Sequence, residues 1–149
     1  MKEQRLNSLS PEKQMHRNNK LHFIVIDDSK LDCFIVEKLI KYNGTVDSVK
    51  SFMQATDALE YISHSRPEEG VHTILLIDIQ MPVMNGFEFL KAFDNLSQEI
   101  KRNYTVYVIS SSVNDDDSDV VKIHSTVKQF INKPFTSHSL ARLLENANC

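Results

Sequence analysis

Cysteine is nearly absent from this chain of 149 residues: Cys33 and Cys149 are the only two, which gives neither a disulfide framework nor a metal-ligand spacing. A reducing compartment is the simpler reading. Glycine is just as scarce, with three in all, so no glycine-rich loop of the kind that cradles a phosphate is present. No apolar run approaches the length of a membrane span, and the N-terminus lacks the apolar core of a signal peptide. These absences lead to the expectation of a cytoplasmic protein, mature as written. Charge of one sign is lacking too: a net charge of -3 gives no reason to expect nucleic-acid binding.

What is present is ordinary globular material, 41% hydrophobic and 25% charged, in a length that suits one domain. Residues 1–20 are polar, lack an apolar period, and carry five basic against two acidic side chains. They are expected to form a flexible basic extension, with a single domain over 21–149.

The domain is organised around Ile74-Leu75-Leu76-Ile77-Asp78, four apolar residues followed by a carboxylate. Such a run predicts a strand buried on both faces, as in a parallel sheet covered by helices. Leu21 to Ile26 is a second such run and ends in Asp27-Asp28. Thr45 to Ser51 predicts a short edge strand, Thr105 to Ile109 a fourth strand closing on Ser110-Ser111-Ser112, and Val127 to Ile131 a fifth strand before Lys133-Pro134. Helices are predicted between them. The first runs from about Ser29 to Tyr42, with Leu31, Phe34, Ile35 and Leu39 as its apolar period and Gly44 at its exit. Ala55, Ala58, Leu59 and Ile62 mark the second; Phe89, Phe93, Leu96 and Ile100 mark the third. Asp115, Asp116 and Asp117 open a fourth, where negative charge complements the helix dipole. Leu140, Leu143, Leu144 and Ala147 define the last. This fivefold βα alternation predicts an α/β fold, a parallel sheet with helices on both faces, and the expected arrangement is the flavodoxin-like order 2-1-3-4-5.

In that order strands one and three are neighbours, and ligands bind where their carboxyl ends meet. Asp27, Asp28 and Asp78 would share one pocket there. Carboxylates about 4 Å apart repel by roughly 4 kcal/mol per pair at an effective dielectric near 20, so the cluster requires a raised pKa or a cation. A hard divalent ion such as Mg²⁺ suits such oxygen ligands. An aspartate beside it can attack phosphorus, and a lysine or hydroxyl can hold the remaining oxygens; Lys133 and Ser110 stand just past their strands for that purpose. Taken singly, each residue has a plainer explanation: Asp28 as a helix cap, Phe130 as core, Met81 as loop packing. Their joint placement at strand ends favours the chemical reading.

The segments Phe23-Ile24-Val25-Ile26-Asp27-Asp28, Ile77-Asp78-Ile79-Gln80-Met81-Pro82 with Asn85-Gly86, Val108-Ile109-Ser110-Ser111, and Lys133-Pro134-Phe135, in this order, resemble the receiver domains of two-component response regulators over about residues 20–147. The resemblance implies that Asp78 accepts a phosphoryl group from a histidine kinase's phosphohistidine. It implies Mg²⁺ held by Asp28, Asp78 and the backbone carbonyl of Gln80, with Asp27 acting partly through water. Lys133 would pair with the acyl phosphate and Ser110 would donate to a phosphoryl oxygen. Phe130 falls at the aromatic switch position, and the Lys133-Pro134 bond is expected to be cis. Three departures from the pattern are Ser110, where Thr is commoner, Phe130, where Tyr is frequent, and Ser125-Thr126-Val127, where glycine and small residues are usual before strand five.

The expected activity is that of a stand-alone, chemotaxis-regulator-like receiver: a phosphoacceptor rather than an enzyme, signalling by altering the surface of its fourth helix, fifth strand and fifth helix for a protein effector. The expected donor is a sensor histidine kinase or phosphotransfer protein. Gln80 and Ser112 would tune slow self-hydrolysis. Three other readings compete. A Mg²⁺-dependent aspartyl phosphatase would want an Asp where Gln80 stands. A flavin carrier would need the missing phosphate loop after strand one. A binding module without chemistry would not need every site position filled.

Overall fold

A computed structural model describes residues 19–111 and 126–147, with the side chain of Ala147 excepted. The expected extension up to residue 18, Ser112, the helix opened by Asp115 to Asp117, and Cys149 lie outside the described residues. The elements in chain order are β1 (Lys20–Ile26), α1 (Lys30–Asn43), β2 (Ser48–Phe52), α2 (Ala55–Ser63), β3 (Val71–Asp78), α3 (Gly86–Asp94), a single turn α4 (Gln98–Lys101), β4 (Tyr104–Ser110), β5 (Val127–Asn132) and α5 (Ser137–Ala147). The strands form one parallel sheet of order β2-β1-β3-β4-β5, as expected.

Alternation along each strand sends successive side chains to opposite faces, so each central strand feeds two cores. Ile24, Ile26, Leu75, Ile77, Val106 and Val108 pack against Ala55, Ala58 and Ile62 of α2 and Phe89, Leu90 and Phe93 of α3. Phe23, Val25, Ile74, Leu76, Tyr107 and Ile109 pack against Cys33, Val36 and Ile40 of α1 and Leu140, Leu143 and Leu144 of α5. Burial on both faces is why these strands are unbroken apolar runs.

The first helix departs from the expectation in phase. Leu31, Phe34 and Ile35 are 65%, 56% and 42% exposed, and Leu39 is half-buried; the buried stripe is Cys33, Val36 and Ile40. The helix is apolar nearly all round, and the smaller side chains of Cys33 and Val36 face the sheet while the larger ones stand outward. Its ends match expectation: Ser29 caps it by accepting from the Asp32 N–H, and Gly44 leaves it at φ 83°. The third helix is shorter than its apolar period suggests. It stops at Asp94, and Ser97 starts the separate turn α4 by accepting from the Ile100 N–H. Leu96 and Ile100 still pack half-buried against the core, so the period survives a break made by Asn95 and Ser97, whose short polar side chains favour helix ends. The edge strand starts at Ser48 rather than Thr45. There the Asp47 carboxylate accepts from the Leu21 N–H at 2.7 Å.

Candidate functional site

Strand register builds the site. Ile26 pairs with Ile77, so Asp27 lies beside Asp78 one residue further on. Asp78 pairs with Ile109, which puts Ser110 just beyond on β4. Ser110 in turn pairs with Asn132 and its carbonyl accepts from the Lys133 N–H at 2.9 Å. All four side chains therefore come to one end of the sheet.

Asp27, Asp28 and Asp78 each offer an oxygen within 4.8 Å of the others. Asp27 and Asp78 are buried, Asp28 is exposed. Local backbone steadies the buried pair: Asp27 accepts from the Ser29 N–H at 2.9 Å, and Asp78 from the Gln80 N–H at 3.2 Å. Burial pushes the Asp78 carboxyl above its ordinary range; nearby Asp27 adds to this, while Lys133 and the Gln80 N–H pull the other way. Two buried acids in contact call for a cation, and three converging carboxylates fit a hard divalent ion such as Mg²⁺.

The cation present in the pocket is Lys133. Its ammonium donates to Asp27 at 2.8 Å, Asp32 at 2.9 Å and Asp78 at 3.3 Å. Burial alone would lower its pKa, but the hydrogen bonds to Asp27 and Asp32 outweigh that and hold it well above 10.5. Next to it, a cavity of about 340 Å³ lies between α1 and the turn after β5, lined in part by Asp32, Ile35, Lys133 and Pro134. The Lys133-Pro134 peptide is cis, as expected.

The loop after Asp78 is set by a glycine that cannot be replaced without movement. A Cβ on Gly86 would lie 2.7 Å from the Ile79 Cα and 2.9 Å from the Asp78 carbonyl. Asn85 closes the loop with a capping box, its side chain accepting from the Glu88 N–H while Glu88 accepts from the Asn85 N–H, each at 2.9 Å. Just before Asn85, Val83 adopts φ 70°, in a three-residue turn closed by the Met84 N–H on the Pro82 carbonyl. Ser110 is fully buried, and Phe130, opposite Val108 on β5, is half-buried against the α2–α3 core.

Of the three carboxylates that hold Lys133, Asp27 and Asp78 are candidates in the sequence and Asp32 is not. The available signal is its place four residues after Asp28, in the first turn of the helix that starts at the strand end.

The sequence profile of the response regulator receiver domain matches residues 23–145. The chain belongs to this family of two-component receivers, and its fold is that of CheY-like receivers. It is 31% identical over 81 residues to a protein-glutamate methylesterase/protein-glutamine glutaminase of Clostridium acetobutylicum, a match covering 54% of this chain and 22% of that protein. It is 25% identical over 133 residues to the sensor histidine kinase CheAY of Helicobacter pylori, covering 88% of this chain and 16% of that protein. The chain thus spans less than a quarter of either relative. Among solved structures, a response regulator receiver protein of Dyadobacter fermentans superposes with a TM-score of 0.72 at 29% identity, over 85% of this chain and 96% of that one.

Proposed function

We propose that this receiver is a phosphorylation switch in which Asp78 accepts a phosphoryl group from the phosphohistidine of a sensor histidine kinase or phosphotransfer protein. The observation that carries this reading is the convergence of Asp27, Asp28, Asp78 and Lys133 at the carboxyl ends of β1, β3 and β5. An Asp78 carboxylate oxygen forms a bond to phosphorus as the P–N bond to the donor histidine breaks, and the departing ring nitrogen keeps the electron pair. Asp28, Asp78 and the Gln80 carbonyl would hold Mg²⁺, with Asp27 acting through water. Bound there, the ion supplies positive charge against the phosphoryl oxygens.

Lys133 donates to one phosphoryl oxygen and Ser110 to another. Ser110 and Phe130 then carry the change to a surface that includes β5 and α5. The output is binding of a protein effector, and the acyl phosphate is lost by slow hydrolysis. A cytoplasmic location suits this donor chemistry, and the free thiol of Cys33 accords with a reducing compartment.

Intact-mass spectrometry after incubation with acetyl phosphate and Mg²⁺ tests the reading. One added phosphoryl mass is expected on the wild type, and none on Asp78→Asn or without the metal. Absence of the adduct on the wild type, with no burst of free phosphate, would overturn it.

A further inference from the structure

A lysine ammonium has three protons to donate, and the three contacts of Lys133 use them all. Two of the acceptors, Asp27 and Asp78, belong to the acidic pocket. The third does not. Asp32 reaches in from the first turn of α1, where the Ser29 hydroxyl holds its N–H at 3.1 Å, and its side chain is 38% exposed. It lies closer to the ammonium than Asp78 does, 2.9 Å against 3.3 Å. The ammonium therefore sits toward α1, at the wall of the adjoining cavity that Asp32 and Lys133 both line.

We propose that Asp32 is a positioning residue that restrains Lys133 toward α1, so that phosphoryl capture at Asp78 proceeds by breaking the Asp32–Lys133 contact. This rests on the phosphoacceptor reading above. When Asp78 carries a phosphoryl group, the donor that Lys133 gives to Asp78 at 3.3 Å passes to one of the new oxygens, and the ammonium has to move away from α1 to follow it. Asp27 is buried and would lose a donor that water cannot readily replace, whereas Asp32 is open enough for water to replace the lysine. The Asp32 contact is thus the one released. Because it exists only in the unphosphorylated state, it biases the equilibrium toward that state, and removing it favours the phosphorylated one. A partly exposed ion pair of this kind is worth roughly a fivefold change in that equilibrium.

Beryllofluoride, a phosphoryl mimic, is titrated at saturating Mg²⁺ and followed by fluorine NMR on the full chain, for wild type, Asp32→Asn, Asp32→Glu, Lys133→Ala and the double variant Asp32→Asn/Lys133→Ala. Asp32→Asn is expected to bind roughly fivefold tighter and Asp32→Glu close to the wild type. In the Lys133→Ala background the Asp32 substitution is expected to change nothing. A gain that persists there would mean that Asp32 acts by general charge, and would overturn the proposal, as would unchanged or weaker binding by Asp32→Asn.

Without any ligand, the Lys133 ammonium signal in proton–nitrogen NMR is expected to be sharp in the wild type and broadened in Asp32→Asn. An identical signal in both would overturn the restraint. If the wild type fails to bind beryllofluoride, the phosphoacceptor reading falls, and the ammonium signal still decides whether Asp32 holds Lys133.

Discussion

Replacing Lys133 by alanine removes the only cation found among the described carboxylates of the pocket. At 2.8 Å from Asp27, the ammonium contributes roughly 6 kcal/mol of gross attraction at an effective dielectric near 20, most of it offset by the desolvation of both groups. The net quantity is better judged from the loss of one partner of a buried pair, typically about 3–5 kcal/mol. Asp32 is too exposed to add its full share, so about 3 kcal/mol is expected without Mg²⁺ at neutral pH. For a chain of this size that corresponds to a fall of about 10 °C in Tm.

Urea unfolding with and without Mg²⁺, at several pH values, is the assay. The pH dependence has a definite sign. Lys133 is held above its ordinary 10.5, so its contribution is fully present below that value and is lost only as pH rises through the higher folded-state value. In the variant, Asp78 has its raised pKa without the opposing lysine, so stability falls as pH rises through the carboxylate range. The difference from wild type is therefore expected to shrink at pH 4, and saturating Mg²⁺ is expected to recover more than half of it at pH 7. A variant within about 1 kcal/mol of wild type in metal-free neutral buffer would refute the electrostatic account of the pocket.

Three other substitutions test the surrounding scaffold. Gly86→Ala forces a Cβ against the Ile79 Cα and the Asp78 carbonyl, so it is expected to cost about 2 kcal/mol in denaturant unfolding and to cut acetyl-phosphate labelling at least tenfold; labelling at the wild-type rate would contradict the close approach. Val83 is 83% exposed at φ 70°, a backbone conformation a β-branched residue rarely adopts, and Val83→Asn is expected to raise stability by about 1 kcal/mol, since so open a side chain packs against little; a drop in Tm would count against strain there. The hydroxyl of Tyr107 is fully buried with no hydrogen-bond partner among the described residues, and burial raises its pKa, so Tyr107→Phe is expected to be neutral or stabilising by about 1 kcal/mol; destabilisation on calorimetry would indicate a partner for the hydroxyl.

The site is more legible in the sequence than the packing of its first helix, for a physical reason. A strand buried on both faces must be apolar throughout, so the residue where polarity returns marks the strand's end; Asp27, Asp78 and Ser110 each stand at such a point. The βα alternation makes the sheet parallel, and in the observed order β2-β1-β3-β4-β5 register brings the ends together. A helix carries no such marker when apolar residues surround it. In α1, Leu31, Phe34 and Ile35 make as good a period as Cys33, Val36 and Ile40, and only the space beside the sheet selects between them. The break after Asp94 is harder still to foresee, because Leu96 and Ile100 remain against the core on either side of Ser97.

The phase of α1 and the part played by Asp32 are hidden in the sequence for the same reason. With Leu31, Phe34 and Ile35 assigned to the core, the helix's first turn has no reason to face the strand ends. Once Cys33 and Val36 are the buried residues, Asp32 lies beside that stripe and within reach of Lys133, and the Cys33 thiol donates to the Asp27 carbonyl at 3.3 Å. Of the outward apolar residues, Ile35 then lines the same cavity as Asp32 and Lys133. Helix phase at α1 therefore determines two things at once: which carboxylate restrains the pocket's lysine, and which outward apolar side chain lines the adjoining cavity. A single rotation of that helix would exchange one set for the other, so the burial of small Cys33 and Val36 is part of how the site is built.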